Sequence, residues 1–343
     1  MSERAFWVGT YTGEAGRGAG IYRVARRADG TLEGPELVTE AVCPSYLAAH
    51  PSGNVLYAVR EEDRGGVVAY EVAASGLRET GTRPAGALPC HLSLTPDAGH
   101  LLVADYGSGT VRAVRLDRDG GFAGEPAVAE GHGGGPRTDR QEGPHAHASV
   151  HAPDGTVLTT DLGADLIRSF RIEDGALRLV GETHVPAGHG PRHLVLHPGG
   201  YVHVLAELVT SVMVLRPVDG YARLELVAES PATADPAGEA AQGAAIRLGA
   251  GGRYAYTSMR GTDVVTAHRV LDGGAALEPI ADVPSGGHWP RDLYVDGAWM
   301  HVANERSDTI ATFRIGPDGV PAPAGEPLRV PSPVCVLPAG PAA

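Results

Sequence analysis

Six times along this chain an alternating apolar run, a turn rich in Gly, Pro and Asp, and a second alternating run follow one another. The copies are "PSYLAAHPSGNVLYAVR" (44–60), "PCHLSLTPDAGHLLVAD" (89–105), "PHAHASVHAPDGTVLTTD" (144–161), "PRHLVLHPGGYVHVLAE" (191–207), "GAAIRLGAGGRYAYTSMR" (243–260) and "PRDLYVDGAWMHVAN" (290–304). A period of two bounded by turn residues marks an antiparallel hairpin. The copies begin at 44, 89, 144, 191, 243 and 290, steps of 45, 55, 47, 52 and 47 residues. Spacings of roughly 40–50 residues suit one four-stranded propeller blade per repeat.

Each hairpin leads into a third alternating run, such as "VVAYEV", "LIRSFRI" or "TIATFRI", and often into a shorter fourth, such as "ALRLVGE" or "LEPIADV". A seventh unit is divided between the chain ends. "PSPVCVLP" (331–338) reads as a first strand, and "FWVGTYT" with "GIYRVA" as a second and third. Joining them closes a ring and removes two exposed sheet edges. The expected fold is all-β: a seven-bladed propeller of four-stranded blades forming one domain over 1–343, its last blade shared by 331–338 and 5–41.

The 48 glycines and 27 prolines fall between the alternating runs, where turns need them. All 28 basic residues are arginine, which excludes Schiff-base chemistry and a lysine-bearing phosphate loop. A net charge of −13 argues against a nucleic-acid or membrane-surface partner and leaves room for a small anionic substrate where arginines converge. No apolar run approaches the ~18 residues of a membrane span, and "MSERAFWVGTYT" enters a strand without a leader-like core, so the expected address is cytoplasmic. Cys43, Cys90 and Cys335 lack metal-site spacing and read as buried thiols.

In a propeller the entrance of each first strand and the end of each second strand surround one mouth of the central channel. The entrances carry Tyr46, His91, His145 with His147, Arg192 with His193, and Arg291 with Asp292; the ends carry Arg60, Asp105, Asp161, Glu207, Arg260 and Asn304. Such groups are costly to bury without partners, so they mark either a pocket of convergent charge or hydrogen bonds to neighbouring turns. Two long loops, 131–143 and 231–243, lead into first strands on that face.

"WVGTYT", "DRQEGPHAH", "GPRHLVLHP", "LAEL", "SMRG" and "PRDLYVDGAWMHVANERSDTI", in this order, resemble the seven-bladed propeller lactonase family, which holds propeller-type 6-phosphogluconolactonases and 3-carboxy-cis,cis-muconate lactonizing enzymes. The resemblance runs from about residue 5 to 338. It implies a catalytic set of His147, Arg192, Glu207 and Arg260; His91, His145, His193 and Arg291 beside them are expected to bind substrate, in a metal-independent reaction needing no cofactor. Met259 stands where the family usually has Asn. The implied activity is hydrolysis of a sugar lactone, with lactonising isomerisation of a carboxymuconate, or a non-catalytic binding propeller, as alternatives.

Overall fold

The computed structural model describes residues 4–340 apart from 75, 237, 239 and 240, so part of the second long loop lies outside the described residues. Its strands form seven antiparallel sheets, each built from strands consecutive in the chain except the last, and the fold is a seven-bladed β-propeller. Blade three is representative: Ala146–His151, Val157–Asp161, Leu166–Glu173 and Ala176–His184 pair in that order. In blade six the fourth strand is broken, Pro321–Pro323 and Leu328–Arg329 both pairing with Thr309–Ile315. Pro323 and Pro327, which lack a donor for the ladder, flank the break, and between them Gly325 turns the chain at φ 73°. Pro333–Ala339 pairs with Arg4–Thr10, so the end of the chain supplies the first strand of the blade that its beginning completes.

By packing the chain groups into two compact units. One holds Cys43–Leu194 and Pro217–Glu225, and therefore blades one to three; the other holds the N-terminal strands to Val42, Val195–Arg216 and Leu226–Ala339, and therefore blades five to seven. In each unit the core lies between facing sheets. Tyr57, Val59, Leu101 and Val103 join blades one and two, while Phe6, Val8, Ile310 and Val336 join blades six and seven. Burying a side chain of this size contributes roughly 1.5–3 kcal/mol.

A β-bulge recurs where the first strand begins. Pro89 faces Asp105 while His91 faces Ala104, so Cys90 is the extra residue. The same insertion falls on His147, between Ala146 opposite Asp161 and Ala148 opposite Thr160. It falls on Ala244 in blade five, on Arg291 in blade six and on Val334 in blade seven. A bulge adds one residue to one strand and re-aims its side chain. Two of the candidate residues, His147 and Arg291, occupy this station.

Three histidines away from that station are fully buried. His203 bonds the Gly274 carbonyl, His268 the Thr257 hydroxyl and His301 the Thr312 hydroxyl. Burial pushes the first two down to about 4 and His301 to about 3. An unfolded histidine takes up its proton near 6.5. Between these values the unfolded chain binds more protons than the folded one, so stability is complete above pH 6.5 and declines as the pH falls toward 4. Thermal unfolding is expected to show a lower midpoint at pH 4.5 than at pH 7. His301→Gln, uncharged throughout, should flatten that decline.

Candidate functional site

The unit holding blades one to three gathers a group of imidazoles. His91, His147 and His193 are each more than nine-tenths buried, with the His193 ring centre 5.6 Å from that of His91 and 5.5 Å from that of His147. Tyr46 packs on His91 at 4.3 Å, and Tyr106 stands edge-on to His147 at 5.7 Å. The Cys90 thiol lies 3.9 Å from Nδ1 of His147; unlike buried Cys43 and Cys335, it is partly exposed. Tyr106 was not among the sequence candidates; it follows directly on Asp105, at a second-strand end.

His145 is differently employed. Its ring stacks on Tyr106, Nδ1 meets the Tyr106 carbonyl at 2.9 Å and Nε2 meets the Glu142 carboxylate at 3.1 Å. It ties blade two to the loop before blade three. Arg192 is also buried, and the Thr160 hydroxyl donates to its carbonyl at 2.6 Å.

The second-strand carboxylates of blades two and three hold the scaffold. Asp105 accepts from Thr110 and Arg112, both at 2.6 Å, and burial raises its pKa against the lowering effect of those donors. Asp161 accepts from the His145 and Ala164 amides and pairs with Arg168, whose side chain is 4% exposed. Arg168 also bonds Glu182 at 2.9 Å and the His132 carbonyl, fastening the 131–143 loop. Breaking a buried pair by removing one partner costs roughly 3–5 kcal/mol. Arg168→Gln is therefore expected to lower stability by about that amount in a denaturant titration.

In the unit holding blades five to seven, Glu207 follows Val202–Ala206 directly and Arg260 ends Tyr254–Arg260. Glu207 Oε2 lies 3.0 Å from a terminal nitrogen of Arg260, with side chains 2% and 5% exposed. Gly243 links them through the main chain: Arg260 donates to its carbonyl at 2.8 Å, and its amide donates to the Glu207 carbonyl at 3.2 Å. A Cβ at 243 would stand 2.2 Å from the Ala206 oxygen, so only glycine permits this approach. Met259 is turned away into the apolar core with Leu205, Val212 and Ile246, so its side chain offers no hydrogen bond to this pair.

Arg291 packs its guanidinium over Tyr11 at 4.8 Å, donates to the Tyr11 hydroxyl at 2.5 Å and meets Glu305 at 3.4 Å. Asp292 and Asn304, the other polar residues at this blade's strand entrance and end, serve structure. Asp292 accepts from Arg247 and the Val336 amide, and Asn304 donates to the Ser285 carbonyl. Among the described residues no group of three or more His, Cys, Asp or Glu is placed to hold a metal ion, and no helix is long and apolar enough to cross a membrane.

The arrangement offers two kinds of chemistry: imidazoles able to move a proton, and buried guanidinium groups able to meet an anion. Known proteins are similar to nearly the whole of this chain. It is 30% identical over 349 residues to a 6-phosphogluconolactonase of Bacillus subtilis, covering 98% of each chain. The solved structure of a putative 6-phosphogluconolactonase from Bacteroides fragilis superposes with a TM-score of 0.88 at 27% identity, covering 98% of both. That of a periplasmic gluconolactonase from Pseudomonas aeruginosa gives 0.89 at 26% identity, covering 98% of this chain and 99% of that one. Residues 5–338 match the family described as lactonase, 7-bladed beta-propeller, and the chain belongs to that family.

Proposed function

We propose that this protein hydrolyses a sugar lactone, 6-phosphogluconolactone, as a step of the pentose phosphate pathway in the cytoplasm, and that it does so without a metal. The relatives named above support the substrate, and the family supports the reaction class. One observation carries the assignment of roles: His147, Arg192, Glu207 and Arg260 all lie at a first-strand entrance or a second-strand end, and all are nearly buried although ionisable. A charge at those stations is not needed by every blade: Asp105 and Asp161 serve the scaffold at theirs, whereas blade five has Ala244 at its bulge.

In this reading His147, in its neutral form, takes a proton from water as the water attacks the lactone carbonyl carbon. Arg192 stabilises the oxyanion of the tetrahedral intermediate, a role that the family resemblance gives to Arg260 as well. Collapse breaks the bond to the ring oxygen, which recovers the proton from His147, leaving a hydroxy acid. Glu207 orients Arg260 through their 3.0 Å contact. His91, His193 and Arg291 bind substrate, and His145 holds the loop that precedes His147.

The test is ring opening of freshly generated 6-phosphogluconolactone, measured against its spontaneous rate with and without a chelator. Acceleration that survives the chelator is expected. A rate equal to the spontaneous one would end the proposal.

A further inference from the structure

The entrance of blade six carries an aromatic ledge that the proposed chemistry does not use. Trp289 immediately precedes the first strand, Pro290–Asp296, and its backbone is left-handed at φ 67°. The residue before the first-strand proline takes the same turn at Cys43, Leu88, Gly190 and Ser332. The conformation thus belongs to the blade, while the side chain is this position's own. Glycine adopts it without strain, as at 190, whereas a bulky residue held there is strained by about 1–3 kcal/mol. Two bonds hold the tryptophan in place: its amide donates to Asp263 at 2.8 Å, and its carbonyl accepts from the Glu305 amide at 3.1 Å.

Two guanidinium groups gather on this partly exposed indole. The Cζ of Arg306 stands 3.4 Å from the ring centre, and that of Arg260 stands 5.7 Å from it. The carboxylates nearby are each matched to another group: Glu207 to Arg260, Glu305 to Arg291, Asp308 to Arg17 and Asp263 to His288. Arg306 is exposed and makes no ion pair among the described residues. A guanidinium stacked on a ring keeps its N–H edge for in-plane hydrogen bonds, the geometry that suits a phosphate bidentately. In a chain of net charge −13, one uncompensated cation fixed on an indole beside Arg260 is placed to favour an anion.

We propose that Arg306, held flat on Trp289, is the binding subsite for the phosphate monoester end of the substrate, and so selects phosphorylated over plain sugar acids and lactones. This rests on the hydrolase reading for its substrate, and binding tests it without catalysis. Calorimetric titration of the full chain with 6-phosphogluconate, gluconate and inorganic phosphate gives the affinities. Arg306→Gln is expected to weaken 6-phosphogluconate about tenfold or more while leaving gluconate within about twofold. Trp289→Gly, which relieves the strained turn but removes the ledge, should weaken 6-phosphogluconate without lowering stability, and Trp289→Phe should retain most of the binding. In turnover, Arg306→Gln should raise KM for the phosphorylated lactone at unchanged kcat.

If the wild-type chain binds no phosphorylated probe, or if Arg306→Gln weakens gluconate as much as 6-phosphogluconate, the subsite is refuted even where lactone is hydrolysed. If lactone is not hydrolysed but 6-phosphogluconate binding still depends on Arg306, the subsite stands and the hydrolase reading falls.

Discussion

His147→Gln is expected to open 6-phosphogluconolactone about 10²–10⁴-fold more slowly than the wild type, the range that a positioned general acid–base contributes. Gln keeps a polar side chain of similar reach among His193, Tyr106 and Cys90, so the loss should fall on turnover and not on folding. The measurement is kcat under conditions where the spontaneous rate is subtracted, with an unfolding curve on the same preparation. A variant that keeps half or more of the wild-type kcat would remove His147 from proton transfer. Its neighbours would then be the next candidates, His193 first because it touches both other rings of the group.

The sevenfold pattern was readable because each blade is a local object. Alternation, a turn at fixed intervals and a return strand are all short-range signals, and the divided seventh blade followed from strands left over at the two ends. Pairing of Pro333–Ala339 with Arg4–Thr10 bears this out. What the pattern could not show was the bulge. An inserted residue leaves the alternation of the rest of the strand intact, so neither "PCHLSL" nor "AHASVH" betrays the bulge at its second position.

Aligning the blades on their prolines sets Pro144 against Pro89, whereas pairing sets Ala146 opposite Asp161 as Pro89 is opposite Asp105. By that register His147 shares its station with Cys90 and Arg291, and His91 sits one step farther in. The end of the second strand was similarly ambiguous. Asp105 and Asp161 each reach an arginine seven residues on, Arg112 and Arg168, and stabilise their own blades. Glu207 and Arg260 have an alanine or valine at that offset and pair with one another instead. Trp289 escaped notice because it precedes a strand, where a period-two reading gives no weight to a side chain.

That pairing makes the second large prediction, because it separates stability from catalysis. Arg260→Ala removes the guanidinium that lies 3.0 Å from the 2% exposed Glu207 carboxylate, and Glu207→Ala removes that carboxylate from beside the guanidinium. Each single change is expected to cost roughly 3–5 kcal/mol, since breaking a buried pair by removing one member loses its attraction while the other charge stays buried. An alanine at 260 is therefore not a silent probe of catalysis. Replacing both residues by leucine and methionine removes both charges from this buried place, and should recover most of that loss. Activity should behave otherwise. If Arg260 stabilises the oxyanion, its removal costs about 10²–10³-fold in kcat whether or not Glu207 is also replaced. The double variant would then be stable and nearly inactive. Recovery of turnover alongside stability would show that the pair only holds blades four and five together. Single variants as stable as the wild type would show instead that water reaches the pair.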